Sequence, residues 1–97
     1  MGVIYMAKYL AVHPVDPPVD MDAVGPLAKK AKAGVTPDAY WVKSWCELND
    51  DGQVTAVYCE WDGKDAQTVR DALTNLIPEL PFSKVSTMAE IQGEDFR

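Results

Sequence analysis

Two runs of strand-forming residues on either side of a turn constrain this chain more than any other feature in it. Tyr40-Trp41-Val42-Lys43-Ser44-Trp45-Cys46 and Val54-Thr55-Ala56-Val57-Tyr58-Cys59-Glu60-Trp61 are rich in aromatic and β-branched side chains, and Asn49-Asp50-Asp51-Gly52 lies between them. Such runs suit a pleated, half-buried surface. Asp-Gly suits the two positive-φ positions of a type I′ turn, so the segment reads as a hairpin. A two-residue loop at Asp51-Gly52 pairs Asp50 with Gln53, Cys46 with Val57, Trp45 with Tyr58 and Lys43 with Glu60. A helix follows at once. Val69, Ala72, Leu73, Leu76 and Ile77 recur at the spacing of one buried face, Asp65 is its N-cap and Pro78 its stop.

The flanking segments complete a pattern. Tyr5 to His13 alternates and reads as a first strand, ended by Pro14, which has no N–H for a ladder. Asp20 is placed to cap a first helix with Val24, Leu27, Ala28 and Ala31 as its apolar stripe. Gly25-Pro26 either kinks that helix or marks the first turn of a shorter one. Gly34 suits the position just past its end, and Phe82 to Ile91 reads as a last strand. The order is β-α-β-β-α-β, which predicts an α+β, ferredoxin-like sandwich: a four-stranded antiparallel sheet with two helices on one face. Ninety-seven residues suffice for one such domain, spanning 1–97, and for one core.

Composition narrows the classes of partner. The chain carries 47% hydrophobic and 25% charged residues, an ordinary globular balance. A net charge of −6 with no basic stripe argues against nucleic acid and anionic membrane surfaces. No apolar run approaches the roughly 20 residues of a spanning helix. Met1 to Met6 has neither the charged nor the apolar region of a signal peptide, and Met6 stands where a myristoylation signal needs Ser or Thr. Two cysteines without a secretion signal point to free thiols in a reducing cytoplasm. No Ser-His-Asp, phosphate-loop or dinucleotide motif is present, so no organic cofactor is implied.

The period of two sorts each strand into faces. On this reading Leu10, Val12, Val42, Cys46, Val57, Cys59, Trp61, Val85, Ala89 and Ile91 face the helices. Leu10, Val12, Val57, Leu73, Leu76 and Ile91 are the expected core. The opposite face carries Tyr9, Ala11, His13, Trp41, Lys43, Trp45, Ala56, Tyr58, Glu60, Ser86, Met88 and Glu90. It is too aromatic to be left in water. A homodimer that packs two such faces together covers it and encloses a cavity lined by Tyr9, Trp41, Lys43, Trp45, Tyr58 and Met88.

The chain resembles a family of small bacterial ferredoxin-like proteins, mostly uncharacterised, whose known example is a nickel-binding, nickel-responsive protein. The resemblance runs from Met6 onward. It rests on Val12-His13 at the end of the first strand, Trp45 in the second, Val57-Tyr58-Cys59, Asp62, and Asp65-Ala66 with Val69. It implies a dimeric α/β barrel with a cavity able to hold nickel or another divalent transition metal. His13 is the only histidine and so the only nitrogen ligand available. Glu60 and Glu90 are the carboxylates that share its expected face. Two further readings stand beside metal or small-ligand binding: a cofactor-free isomerase, cyclase or oxygenase acting in the cavity, and a non-catalytic interaction module.

Overall fold

The computed structural model describes residues 6–97. The expected first residue of the opening strand, Tyr5, and residues 1–4, which entered the argument against a signal peptide, lie outside them. The elements run β1 (Ala7–Val19), a 3-10 turn (Met21–Ala23), α1 (Val24–Ala33), β2 (Ala39–Leu48), β3 (Val54–Gly63), α2 (Ala66–Leu76), β4 (Lys84–Met88) and a closing 3-10 turn (Gly93–Phe96). The sheet is antiparallel in the order β2-β3-β1-β4. Both helices lie against one face. This α+β arrangement is compatible with the ferredoxin-like fold. No helix among the described residues is long and apolar enough to cross a membrane.

The hairpin forms as expected, but by a different turn. Asn49 N–H donates to Gln53 O at 2.9 Å and Gly52 N–H to Asn49 O at 3.0 Å, and Gly52 alone has positive φ, at 77°. The loop therefore has three residues and ends in a left-handed glycine, because Asn49 Oδ1 accepts from both Asp51 N–H and Gln53 N–H and holds the chain in that shape. The longer loop puts Leu48 opposite Val54. Thr55 is then left unpaired, which restores Cys46 opposite Val57, Trp45 opposite Tyr58 and Lys43 opposite Glu60, the expected pairs. A second extra residue, Val42, leaves Trp41 opposite Trp61.

That second bulge reverses the parity of β2. Trp41, expected on the open face, turns towards the helices and packs on the core, while Val42, expected inside, is exposed. Parity is also reversed throughout β1. Tyr9, Ala11 and His13 are buried under the helices, and Leu10 and Val12 lie half-exposed on the other face. Lys8 explains the choice. It shares parity with Leu10 and Val12, and burying an ammonium under two helices would cost far more than exposing two aliphatic side chains partly. The extended backbone also runs past Pro14, expected to end the strand, as far as Val19, where pairing resumes opposite Val54. Proline sets φ near −65°, which an extended segment accepts.

The core collects Val54, Val57, Cys59 and Trp61 from β3, Tyr9, Ala11 and His13 from β1, Val85 from β4, and Val69, Leu73 and Ile77 from α2 and its end. Of the expected core, Val57 and Leu73 are buried and Leu76 packs against them. Ile91 does not belong to it: β4 stops at Met88, opposite Lys8, and Ile91 is 78% exposed. Asp65 caps α2 as expected, its carboxylate accepting from Thr68 N–H at 2.7 Å. Helix α1 begins only just before Pro26, which therefore sits in the first turn, where its missing N–H costs nothing. Asp20 precedes the 3-10 turn and makes no side-chain cap bond, and Gly34 ends α1 at φ −104°, outside the left-handed region.

Helix α2 packs closely on the sheet at Gly63. A Cβ there would lie 2.4 Å from Val69 Cγ2 and 3.3 Å from the Tyr9 ring. Val69 is fully buried and stiff about χ1, so it has nowhere to turn. Gly63→Ala is therefore expected to destabilise the fold by about 1–3 kcal/mol, the usual effect of overpacking a filled core. Urea denaturation with an unchanged m-value checks this.

Candidate functional site

The face of the sheet away from the helices is the candidate site, and the register sets its contents row by row. One row crosses the sheet as Lys43, Glu60, Leu10 and Ser86; the next as Trp45, Tyr58, Val12 and Lys84; a third brings Asp62, Lys8 and Met88 together. Apolar groups fill the centre. Trp45 is 50% and Met88 41% exposed, and Leu10 and Val12 lie between them. A depression of about 260 Å³ opens there, walled by Lys8, Leu10, Lys43, Trp45, Glu60, Met88 and Glu90.

The charges around it differ in their freedom. Lys8 Nζ bridges Glu60 and Asp62, and those two hydrogen bonds raise its pKa above the ordinary lysine value. Its charge is thus matched locally. Lys43 has no carboxylate within ion-pair reach among the described residues; its ammonium lies 4.9 Å from the centre of the Trp45 ring, a cation–π distance. Tyr58 donates its hydroxyl proton to Glu47 at 2.7 Å, and this bond raises the phenol's pKa. The depression therefore offers one unmatched cation beside an indole and an apolar floor.

The residues expected to act together are divided between two faces. Lys43, Trp45, Tyr58, Glu60, Met88 and Glu90 lie on or beside the open face, as expected. Tyr9 borders the depression but is itself buried in the core, and Trp41 packs against that core in the layer between sheet and helices. His13 is also on that inner side, 0% exposed, its ring edge-on to Phe82. Its Nδ1 lies 2.9 Å from Leu80 O. A carbonyl only accepts, so Nδ1 carries the proton, and Nε2 has no partner among the described residues. The structure thus brings Glu60 and Glu90 together and leaves His13 across the sheet from them. Among the described residues no three His, Cys, Asp or Glu side chains cluster as metal ligands.

The thiols lie where the alternation placed them, facing the helices. Cys59 is buried and accepts from Ser44 Oγ at 3.0 Å, and burial pushes its pKa upward. Cys46 is partly buried and shifted the same way by the same cause. Both are free and protonated, which suits packing rather than nucleophilic attack.

Parity reasoning missed Lys8, Leu10 and Val12 at the open face. The signal was present in Lys8, whose charge fixes the outward side of its strand. With the geometry in hand, comparison with known proteins adds no relative: no protein-family model, curated protein or solved structure matches the chain.

His13 makes stability depend on pH. Burial, the largest cause, lowers its pKa below the ordinary value near 6.5, against the opposing pull of the Leu80 and Pro81 carbonyls. The unfolded chain then binds a proton that the folded chain refuses. Stability from this group is complete above about pH 6.5 and is lost as pH falls from there towards the folded-state value. Between pH 7.5 and 5.5 the denaturation midpoint of the wild type is expected to fall, and that of His13→Gln to change less, as read by urea titration at each pH.

Proposed function

We propose that this chain is a homodimer that packs its open sheet faces together and holds a small organic anion in the cavity between them. The observation that carries this reading is the apolar centre of the open face, where Leu10, Trp45 and Met88 line a depression beside the unmatched Lys43. Burying a large apolar side chain is worth about 1.5–3 kcal/mol, and this face forgoes much of that in a monomer. The overall shape agrees. The radius of gyration is 14.6 Å and the smallest extent 20 Å, against roughly 12.5 Å expected for a compact chain of this length. The molecule is two layers thick where a further layer would cover the sheet.

Size and charge suit a second copy as that layer. A specific interface buries about 800 Å² per partner. Four strands about 4.8 Å apart present roughly 500 Å² of projected face, and side-chain relief raises the accessible area above that. The face carries both signs of charge, so a two-fold axis need not set like charges against each other. The dimeric barrel of the nickel-responsive family that the sequence resembles has this design. In the ligand, a ring would lie on Trp45, Leu10 and Met88 while a carboxylate or sulfonate meets Lys43. A metal held here would draw on Glu60 and Glu90, because His13 lies on the other side of the sheet.

Sedimentation at micromolar concentration is expected to give a dimer, and Trp45→Asp a folded monomer. A monomeric wild type would overturn the reading. An anilinonaphthalene sulfonate is expected to bind the dimer with enhanced fluorescence. Lys43→Met should weaken that binding roughly tenfold, the factor carried by about 1.4 kcal/mol of charge-assisted bonding. Equal affinity in both proteins would remove Lys43 from the site.

A further inference from the structure

The segment that follows β4 carries the two most exposed large apolar side chains among the described residues. Ile91 is 78% and Phe96 76% exposed, and the residues between them, Gln92-Gly93-Glu94-Asp95, are polar or glycine. The segment has local order of its own. Gly93–Phe96 forms a 3-10 turn, Asp95 N–H donates to Gln92 O at 3.1 Å, and Arg97 bridges Glu94 at 3.2 Å. Glu90, where the segment departs from the sheet, stands in the wall of the open-face depression. Within one chain the depression does not capture the segment, and Phe96 is left in solvent.

Asp95 and Phe96 together have the chemistry that the depression selects, a ring beside a carboxylate. Leu10, Trp45 and Met88 offer the apolar floor, and Lys43 is the unmatched cation. Asp95 is unmatched too, since Arg97 engages Glu94 and no cation lies within ion-pair reach of Asp95 among the described residues. Volume permits the fit. A cavity of about 150 Å³ accommodates benzene, and the depression has about 260 Å³, which leaves room for a carboxylate beside a phenyl ring. Three residues per turn set consecutive side chains of a 3-10 helix about 120° apart, so Phe96 can meet the floor while Asp95 turns to the wall. Area favours a second copy as the source. The sheet's roughly 500 Å² of projected face is below the about 800 Å² that a specific interface takes from each partner. A Phe side chain adds about 150–250 Å² when it is buried.

We propose that residues 91–96 of each copy dock on the open face of the other. The Phe96 ring lies on Leu10, Trp45 and Met88, the Asp95 carboxylate meets Lys43, and an organic anion displaces both when it binds. Given the dimer and the anion site proposed above, on which this rests, the segment is a competitor that the partner supplies, and it fills the site when no ligand is present.

Mixed dimers of isotope-labelled and unlabelled full chain, read by isotope-filtered NMR, locate the segment. Nuclear Overhauser contacts from the Phe96 ring of one copy to the Trp45 indole of the other are expected, and they should vanish at saturating anilinonaphthalene sulfonate. Phe96→Ser, at a position outside the core, should bind the sulfonate about tenfold more tightly than the wild type, the factor expected when the segment fills about nine sites in ten. Asp95→Asn should tighten binding less, because an exposed ion pair adds little. A dimer that binds the sulfonate equally in wild type and Phe96→Ser would overturn this proposal alone. So would Phe96 contacts that are absent or confined to its own copy. A monomeric wild type, or a Phe96→Ser variant that binds no sulfonate, would overturn the dimeric anion site as well.

Discussion

Two helices can cover only one face of a four-stranded sheet, and the rest of this structure follows from which face that is. Val57, Cys59 and Trp61 on the central strand β3 take the covered side, with Val69 and Leu73 of α2 and Ile77 just past its end packed in the same layer. The opposite side receives Tyr58, Glu60 and Asp62 by alternation alone. Once β3 is oriented, every neighbouring strand must choose a parity that agrees with it. The open face is thus a consequence of covering the other one, and its Leu10, Val12 and Trp45 are what a two-layer fold of this size leaves over.

Irregularities in the β2–β3 hairpin adjust this simple rule in ways that bear on function. Thr55 and Val42 are single extra residues on opposite strands of one hairpin. The first corrects the register that the three-residue loop would otherwise displace. The second moves Trp41 from the open face to the inner layer, where its indole N–H meets Ser44. Trp45, three positions beyond Val42, stays outside beside Lys43. Two tryptophans that alternation assigns to one surface therefore serve two different spaces. A bulge acts this way because it shifts the period of two by one residue on one strand only.

His13 shows how strongly chemistry depends on side. On the open face it would be a solvated imidazole near two carboxylates. In the inner layer it is a neutral ring that donates Nδ1–H to Leu80 and fastens the α2–β4 connection to β1. Burying a protonated imidazole there has no compensating carboxylate, so the neutral form prevails. Its role in the described fold is structural, and the open face is left with oxygen donors and amines.

Much of the architecture was legible in the residues themselves. The hairpin, the capped helix from Asp65 to Pro78 and the βαββαβ order follow from local signals: turn residues, caps and apolar spacing. These are short-range effects, written in neighbouring positions. The pairing of Lys43 with Glu60 agrees with expectation only because the unpaired Thr55 offsets a loop one residue longer than the turn residues suggest. What only the tertiary structure decided was facing. The parity of β1 turned on Lys8 against Leu10 and Val12, a comparison of desolvation costs that no periodicity contains. The side taken by Trp41 turned on one unpaired residue, and the end of β4 on where its partner strand stopped pairing. The candidate site is a product of facing, so Lys43, Trp45 and Glu60 could be read from the hairpin, while the placement of His13 and Lys8 waited on the helices that cover one side and leave the other open.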